Sequence, residues 1–522
     1  MGCNFYSKLQ PPTKIVTLIE EATVLNAAFI KAISEMLGKS KPKDTSSLAG
    51  SSKGDFSGGR PLNEEELLGK RVGVNPDSAF SRPLSGTAGL QEQASLRGGD
   101  TPGFKGILNK EIQSSLSTPF NQPLRIAVLH RNFDPTAGGA EHYAVALVEE
   151  LAHLHEFHVF AQKIDHHFPG VTYHQVPHLF VRPRWLNQLL YAAYCAWATR
   201  RAQGFDIVHS HENTWSGNVQ TVHVMPLTHN LFAGKSTHQK ALQWLKVCIS
   251  PRLLCYVALE KLRLTNKPGR WFICVSEPLH KILKYSLGCS PQAMMTIPPG
   301  VHVKELLSQG ARALRRLQAR ERLGLPEHAR CLLWVGHDAQ KKGLDTALNA
   351  LALLPSDYVL IIAGAAKPRE FWAHLVRNKV SERVLEKGVV NAQVLSELYE
   401  ACDLLIHPTK EDTFGMVVLE AMAQGLPVIV SGAQYCGISA ELTDHETALI
   451  LQSPEDPVEL AGKVVLALQG LMADLLSTQA QEWAKTQDWS RMAELQNTVY
   501  THIAYAHNNQ HHQAHDDSPR SH

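Results

Sequence analysis

The chain has 522 residues, 44% of them apolar and 19% charged, with 51 Lys and Arg against 49 Asp and Glu and a formal net charge of +2. That length exceeds one ordinary domain, and the composition is that of a chain with an ample core, which excludes disordered and fibrous classes. The near-neutral balance excludes a general nucleic-acid binder, and no run approaches the roughly 20 apolar residues that span a bilayer.

Residues 1–120 read as an N-terminal extension. One amphipathic helix is expected from Lys14 to Leu37, followed by KSKPKDTSSLAGSSKGDFSGGRP, a Ser-, Gly- and Lys-rich stretch with too little apolar surface to order itself. The start, Met1-Gly2-Cys3, lacks the Ser or Thr of a myristoylation signal at Tyr6 and has neither a lipobox nor a secretory apolar segment after it. The nine cysteines are scattered through apolar runs with no CxxC pair, so they read as reduced core thiols of a cytoplasmic protein.

From Leu124 short apolar runs alternate with helical patterns, the grammar of repeated βα units and parallel sheets. LRIAVLH, FHVFA, FDIVHS, NVQTVHV and RWFICVS are buried-strand candidates over residues 121–300, the first of two Rossmann-like domains. Between its first strand and first helix lies DPTAGGAE, whose Gly138 and Gly139 would let backbone approach a phosphate or an acceptor closely. The loop is not GxGxxG, which argues against a dinucleotide redox enzyme. His209, His211 and His223 fall at or near strand ends, and Glu212 follows His211. With no HExxH and no Cys/His ligand spacing, no metal site is expected.

Between Val181 and Arg270 twelve basic residues stand against three acidic ones, interleaved with Trp185, Tyr191, Tyr194, Trp197, Trp244 and Tyr256. Such a segment suits either a peripheral membrane surface or a solvated basic face over buried aromatics. The adjacent prolines of IPPGVHV, Ile297 to Val303, mark the domain junction.

The second half, residues 301–485, repeats the pattern with CLLWVG, YVLIIAG, ACDLLIH and LPVIVS. In WVGHDAQKKGLDTAL a strand ends at Gly336 and a helix follows; Lys341 and Lys342 stand where a cation could neutralise a leaving phosphate. The helix dipole disfavours lysines there, which tilts the reading toward function. The most informative segment is HPTKEDTFGMVVLEAMAQGLPVIVSG, His407 to Gly432. It predicts a strand end, a loop with Phe414 and Gly415, and a helix beginning at Met416 whose free N–H groups suit a diphosphate. Asp412 precedes that helix and Glu420 lies inside it, so the two carboxylates could accept hydroxyls from a hexose and a ribose respectively. Residues 486–506 are expected to form a helix packed back on the first domain, and 507–522 an unstructured His-rich tail.

Over about Leu124 to Tyr500 the chain resembles the family 4 glycosyltransferases: Asp412 and Glu420 occupy the two positions of their E-x7-E motif, and Gly138-Gly139 sits in a GGxE-like loop. The resemblance implies a GT-B fold, two Rossmann-like domains facing a cleft, and a metal-independent transfer with retention of configuration. It implies donor contacts from Gly138, Gly139, His337, Lys341, Phe414, Gly415, Met416 and Glu420, and catalytic contacts from His223, Lys342 and Asp412. His337 replaces an Arg common at its position, and Asp412 is one methylene shorter than the usual Glu, which bears on the donor sugar. Within the family, VGHDAQKKGLD, AGAAKPREF and HPTKEDTFGMVVLEAMAQGLPVI are similar to bacterial lipopolysaccharide core glucosyltransferases, the glucosyltransferase I type above all. That similarity implies a UDP-glucose donor, a glycolipid or surface-glycan acceptor, and work at the cytoplasmic face of an inner membrane. A sugar-nucleotide epimerase or a catalytically silent scaffold on the same fold are the alternatives.

Overall fold

The computed structural model describes residues 122–200, 204–303, 309–364 and 380–516. The helix expected at 14–37, and the reading of 1–120 as a linker, lie outside the described residues.

In the first half the strands are β1 (Arg125–Leu129), β2 (Asn132–Phe133), β3 (Glu156–Ala161), β4 (Lys163–Ile164), β5 (Thr172–Gln175), β6 (Ile207–Ser210), β7 (Val219–Val222), β8 (Trp271–Cys274) and β9 (Met294–Thr296). The helices are α1 (Gly139–Leu151), α2 (Arg184–Ala198), α3 (Leu227–Phe232), α4 (Thr237–Ile249), α5 (Pro251–Arg263) and α6 (Glu277–Leu287). Seven strands form one parallel sheet in the order β5-β3-β1-β6-β7-β8-β9, with β2 and β4 paired apart. Strand residues such as Ile126, Val128, Phe157, Ile207 and Phe272 are inaccessible to solvent, as expected where helices cover both faces of a sheet.

The second half holds α7 (Gln309–Leu323), β10 (Arg330–Val335), α8 (Leu344–Leu353), β11 (Tyr358–Ala363), β12 (Val384–Gly388), α9 (Ala392–Ala401), β13 (Leu404–His407), α10 (Met416–Ala423), β14 (Val428–Ser431), β15 (Leu449–Leu451), α11 (Pro457–Ala467), α12 (Gly470–Lys485) and α13 (Trp489–Asp516). Its sheet, again parallel, runs β12-β11-β10-β13-β14-β15. In both sheets the strand order reverses beside the first strand, between β1 and β6 and between β10 and β13. Beyond the carboxyl ends of those pairs the flanking loops diverge and leave a crevice, where open α/β sheets bind ligands. The two Rossmann-like sheets expected from the alternating runs are therefore present.

Two crossings join the halves. The junction at Pro298 to Val301 lies directly on the start of α13: Val301 N–H donates to Gln487 O at 2.7 Å, and a Cβ on Gly300 would stand 2.5 Å from the Trp489 nitrogen. Glycine is required there because the two backbones touch. The helix α13 then packs on the first half, with Trp489 edge-on to Tyr143 at 6.2 Å and the Tyr500 hydroxyl 2.6 Å from His209 Nδ1. Its backbone stays helical to Asp516, so the tail expected to be unstructured from 507 continues the helix for ten residues; no proline or glycine interrupts it before Pro519.

Candidate functional site

The loops after β10 and β13 meet at the second half's crevice. Gly343 has φ +66, and a Cβ there would lie 1.9 Å from Pro408 O, so only glycine lets the two loops close on each other. Lys410 N–H and the Thr409 hydroxyl both donate to Lys341 O, at 2.7 and 3.1 Å, and Trp334 Nε1–H donates to Lys342 O at 2.9 Å. These bonds aim Lys342 at Asp412: Lys342 Nζ lies 2.5 Å from Asp412 Oδ2, and His407 Nε2 is 3.1 Å from the same oxygen.

His407 ends β13 and is inaccessible to solvent. Burial lowers its pKa, partly offset by Asp412, so the ring is neutral and donates from Nε2. For Asp412 burial alone would favour the acid form; the His407 hydrogen bond and the Lys342 ammonium outweigh it and hold the carboxyl well below the usual carboxylate range. The result is a fixed carboxylate with a fixed cation beside it.

Asp412 is tied on its other side by its backbone N–H to Tyr435 O at 2.7 Å, which brings Cys436 alongside. Among the described residues His407, Asp412 and Cys436 offer three ligand atoms within 4.8 Å of one another. The donor set would suit a borderline-soft divalent ion, but Lys342 already supplies the positive charge on the same Asp412 oxygen.

Past Asp412, Gly415 has φ +108, and a Cβ there would lie 2.8 Å from Cys436 Sγ. This left-handed turn starts α10 at Met416 with its free N–H groups directed into the crevice. Gly139, at the start of α1, lies against Met416, where a Cβ would be 3.0 Å from Met416 Cγ. The diglycine loop of one half thus faces the N-terminus of α10 in the other. The Ser276 hydroxyl, donating to Thr413 O at 2.7 Å, adds a hydrogen bond across the cleft.

The remaining residues singled out from the sequence are placed differently. Glu420 is partly buried and accepts from the Tyr399 hydroxyl at 2.9 Å; burial raises its pKa to about 7. Phe414 puts its ring in the core, while its carbonyl accepts from Ile438 N–H at 2.7 Å. Lys341 pairs with Glu411 at 2.9 Å on the surface, and His337 is exposed. Glu212 is an anchor, 3.0 Å from the Arg131 guanidinium and accepting the Arg131 backbone N–H at 3.2 Å.

In the first half the histidines form a stack. His211 Nδ1 is 2.8 Å from His223 Nε2, with the rings nearly parallel and centroids 5.1 Å apart, and Tyr143 is edge-on to His223. His209 lies beneath, bonded to Tyr500 and to the Thr221 hydroxyl. Burial pushes all three pKa values down, that of His209 to about 3, so the stack is neutral. His407, Ser276 and the His211–His223 pair were not singled out as partners in the sequence. For His407 the signal was present, since it is the strand-end residue five before Asp412.

Two parallel sheets facing a cleft, with a lysine–carboxylate pair at one switch point and a diglycine loop at the other, are the arrangement of the GT-B fold. The chain belongs to the family 4 glycosyltransferases: residues 137–305 match the family described as Glycosyltransferase Family 4, and residues 316–483 match Glycosyl transferases group 1. It is 30% identical over 209 residues to the lipopolysaccharide glucosyltransferase WaaG of Escherichia coli K12, a match spanning 39% of this chain and 54% of that protein. The chain thus spans about half the length of that relative. A D-inositol 3-phosphate glycosyltransferase of Streptomyces griseus is 25% identical over 444 residues, 76% of this chain and 90% of the relative. The crystal structure of WaaG, described as involved in lipopolysaccharide biosynthesis, superposes with a TM-score of 0.61 at 22% identity, covering 72% of this chain and 99% of that one.

Proposed function

We propose that this chain is a retaining hexosyltransferase that moves a hexose, glucose in the first instance, from a UDP-sugar to a glycolipid or surface-glycan acceptor in lipopolysaccharide core assembly. The observation that carries the reading is the Lys342–Asp412–His407 group beside the N-terminus of α10, opposite Gly138-Gly139. The donor diphosphate lies on the α10 N–H groups with Lys342 against the leaving phosphate, and Met416 and Gly415 shape that seat. Asp412, kept ionised, accepts sugar hydroxyls. Glu420 turns a carboxylate oxygen to the ribose, and His223 lies near the sugar and diphosphate from the other side.

The bond from the anomeric carbon to the diphosphate oxygen breaks as the acceptor oxygen bonds to that carbon on the same face. The acceptor proton passes to the departing phosphate, which leaves no need for a protein nucleophile or a metal ion. The name of the E. coli relative supports glucose and the lipopolysaccharide core.

An acceptor anchored in lipid fits the first half's surface. The helix α4 buries Val247 alone among its residues and exposes Leu242, Trp244 and Ile249 beside Lys240 and Lys246; Trp197, Phe180 and Val181 of the same half are also exposed. Apolar side chains flanked by lysines suit the headgroup region of an anionic bilayer, here the cytoplasmic face of the inner membrane. Among the described residues no single helix is long and apolar enough to cross one.

The test is nucleotide release from UDP-, GDP- and ADP-sugars in EDTA, with and without heptose-containing lipid acceptors. Acceptor-dependent UDP release, lost in Lys342→Ala and Glu420→Ala, is the expected result. Release or isomerisation without any acceptor would point to the epimerase, and absence of nucleotide-sugar binding would overturn the enzyme reading.

A further inference from the structure

Behind α10, on the side away from the cleft, the second half carries a small open hollow of about 30 Å³. Three guanidiniums of α7 line it, those of Arg312, Arg315 and Arg316, against one carboxylate, that of Glu400, together with Tyr399, Gly425 and Gln481. Arg315 is exposed at the rim; Arg316 reaches Asp403 at 2.9 Å; Arg312 donates to the Ser477 hydroxyl. Crowding of like charge is evident at Arg312, whose pKa is lowered by burial and then by the Arg316 charge.

The inner wall is built from a glycine. Gly425 has φ +72, and a Cβ there would stand 3.1 Å from Arg312 Nη1 and 3.3 Å from Gln481 Oε1, so both polar groups converge on the space a side chain would fill. Gln481 is 4% exposed and spends its amide N–H on Ala423 O at 3.1 Å, which leaves its Oε1 with no donor among the described residues. A buried acceptor without a donor is costly, and a ligand that brings one relieves the cost.

We infer that this hollow binds a phosphate-bearing anion that presents both negative charge to Arg312 and Arg315 and an O–H to Gln481. A protonated phosphate or the phosphomonoester of a sugar meets both demands. Sulfate and carboxylates meet the first alone, since they carry no proton to donate near neutral pH. Tyr399, which forms one wall, bonds to Glu420 at 2.9 Å, so the occupant sits one side chain behind that carboxylate. The site is distinct from the cleft and does not depend on the reading of the donor given above.

Calorimetric titration of the full chain without nucleotide tests it, using inorganic phosphate, glucose 6-phosphate and sulfate as probes. Phosphate should bind about tenfold or more tightly than sulfate, the discrimination set by the Gln481 acceptor. Arg315→Gln, at an exposed position that leaves the core untouched, should weaken phosphate about tenfold; Gln481→Met should abolish the preference over sulfate while anion binding persists. Tighter glucose 6-phosphate than phosphate identifies a sugar phosphate as the occupant, and the reverse identifies free phosphate. Equal binding of phosphate and sulfate, indifference to Arg315→Gln, or displacement of phosphate by UDP would each overturn the proposal.

Discussion

The two switch points of this molecule are built from opposite materials. At the second half's crevice charge is fixed: an ammonium and a carboxylate 2.5 Å apart, held by a neutral imidazole and by loops that only glycine allows to touch. At the first half's crevice the histidines are kept neutral by burial, stacked and joined by hydrogen bonds, and the Arg131–Glu212 pair beside them is spent on tying two loops together. A site that must take up developing diphosphate charge needs preorganised charge; one that must accept and release a neutral hydroxyl does not. The difference teaches that electrostatic work is concentrated in one half, and each half can be broken separately.

The largest expected effect is on that fixed cation. Lys342→Ala should lower kcat/KM by about three orders of magnitude, the scale of losing a preorganised charge stabiliser, whereas Lys341→Ala should change it about threefold at most. Equal losses in steady-state turnover would mean that the geometry at Asp412 does not select between the two lysines.

Next is Asp412→Asn, which leaves Lys342 facing a neutral amide and should cost about 3 kcal/mol at neutral pH in denaturant unfolding. The Asp412 carboxyl titrates lower in the folded chain than its ordinary value of 3.8, so its stabilising contribution is complete above about pH 4 and is lost as pH falls further. The gap between wild type and variant should close in that range.

Glu420 works in the opposite sense. Its folded pKa, about 7, lies above the ordinary 4.5, so ionising it opposes folding, progressively from pH 4.5 and fully above pH 7. Glu420→Gln should therefore be more stable than wild type in denaturant unfolding at pH 8, by on the order of 3 kcal/mol, and converge with it near pH 4.5. A variant less stable at pH 8 would show that the Tyr399 bond outweighs the burial of charge.

The smallest effect sharpens the other half. The histidine stack has depressed folded pKa values, so its contribution is complete above about pH 6.5 and declines as pH falls toward 3. Replacing His211 by Gln should flatten the slope of melting temperature against pH between 6.5 and 4, by a few degrees. An unchanged slope would locate the acid sensitivity elsewhere.

What could be read from the sequence divides along the same line. In the second half the loop, the left-handed Gly415 and the helix start at Met416 lie within one segment, so local rules place them. In the first half the relation of His211 to His223 depends on β6 pairing with β7, and His209 meets Tyr500 from 291 positions away. No local pattern encodes those meetings. Phe414 illustrates a further limit: a residue inside a ligand-facing motif can supply its carbonyl to the fold and bury its ring, and residue type does not distinguish the two.

The contact of Gly300 with Trp489 sets how the halves can move. Because the outgoing and returning strands of the chain lie against each other there, the two halves are joined by a paired pivot instead of a single tether. Any swing that widens the cleft must bend both strands together, and a twist about the long axis would shear the Val301–Gln487 bond.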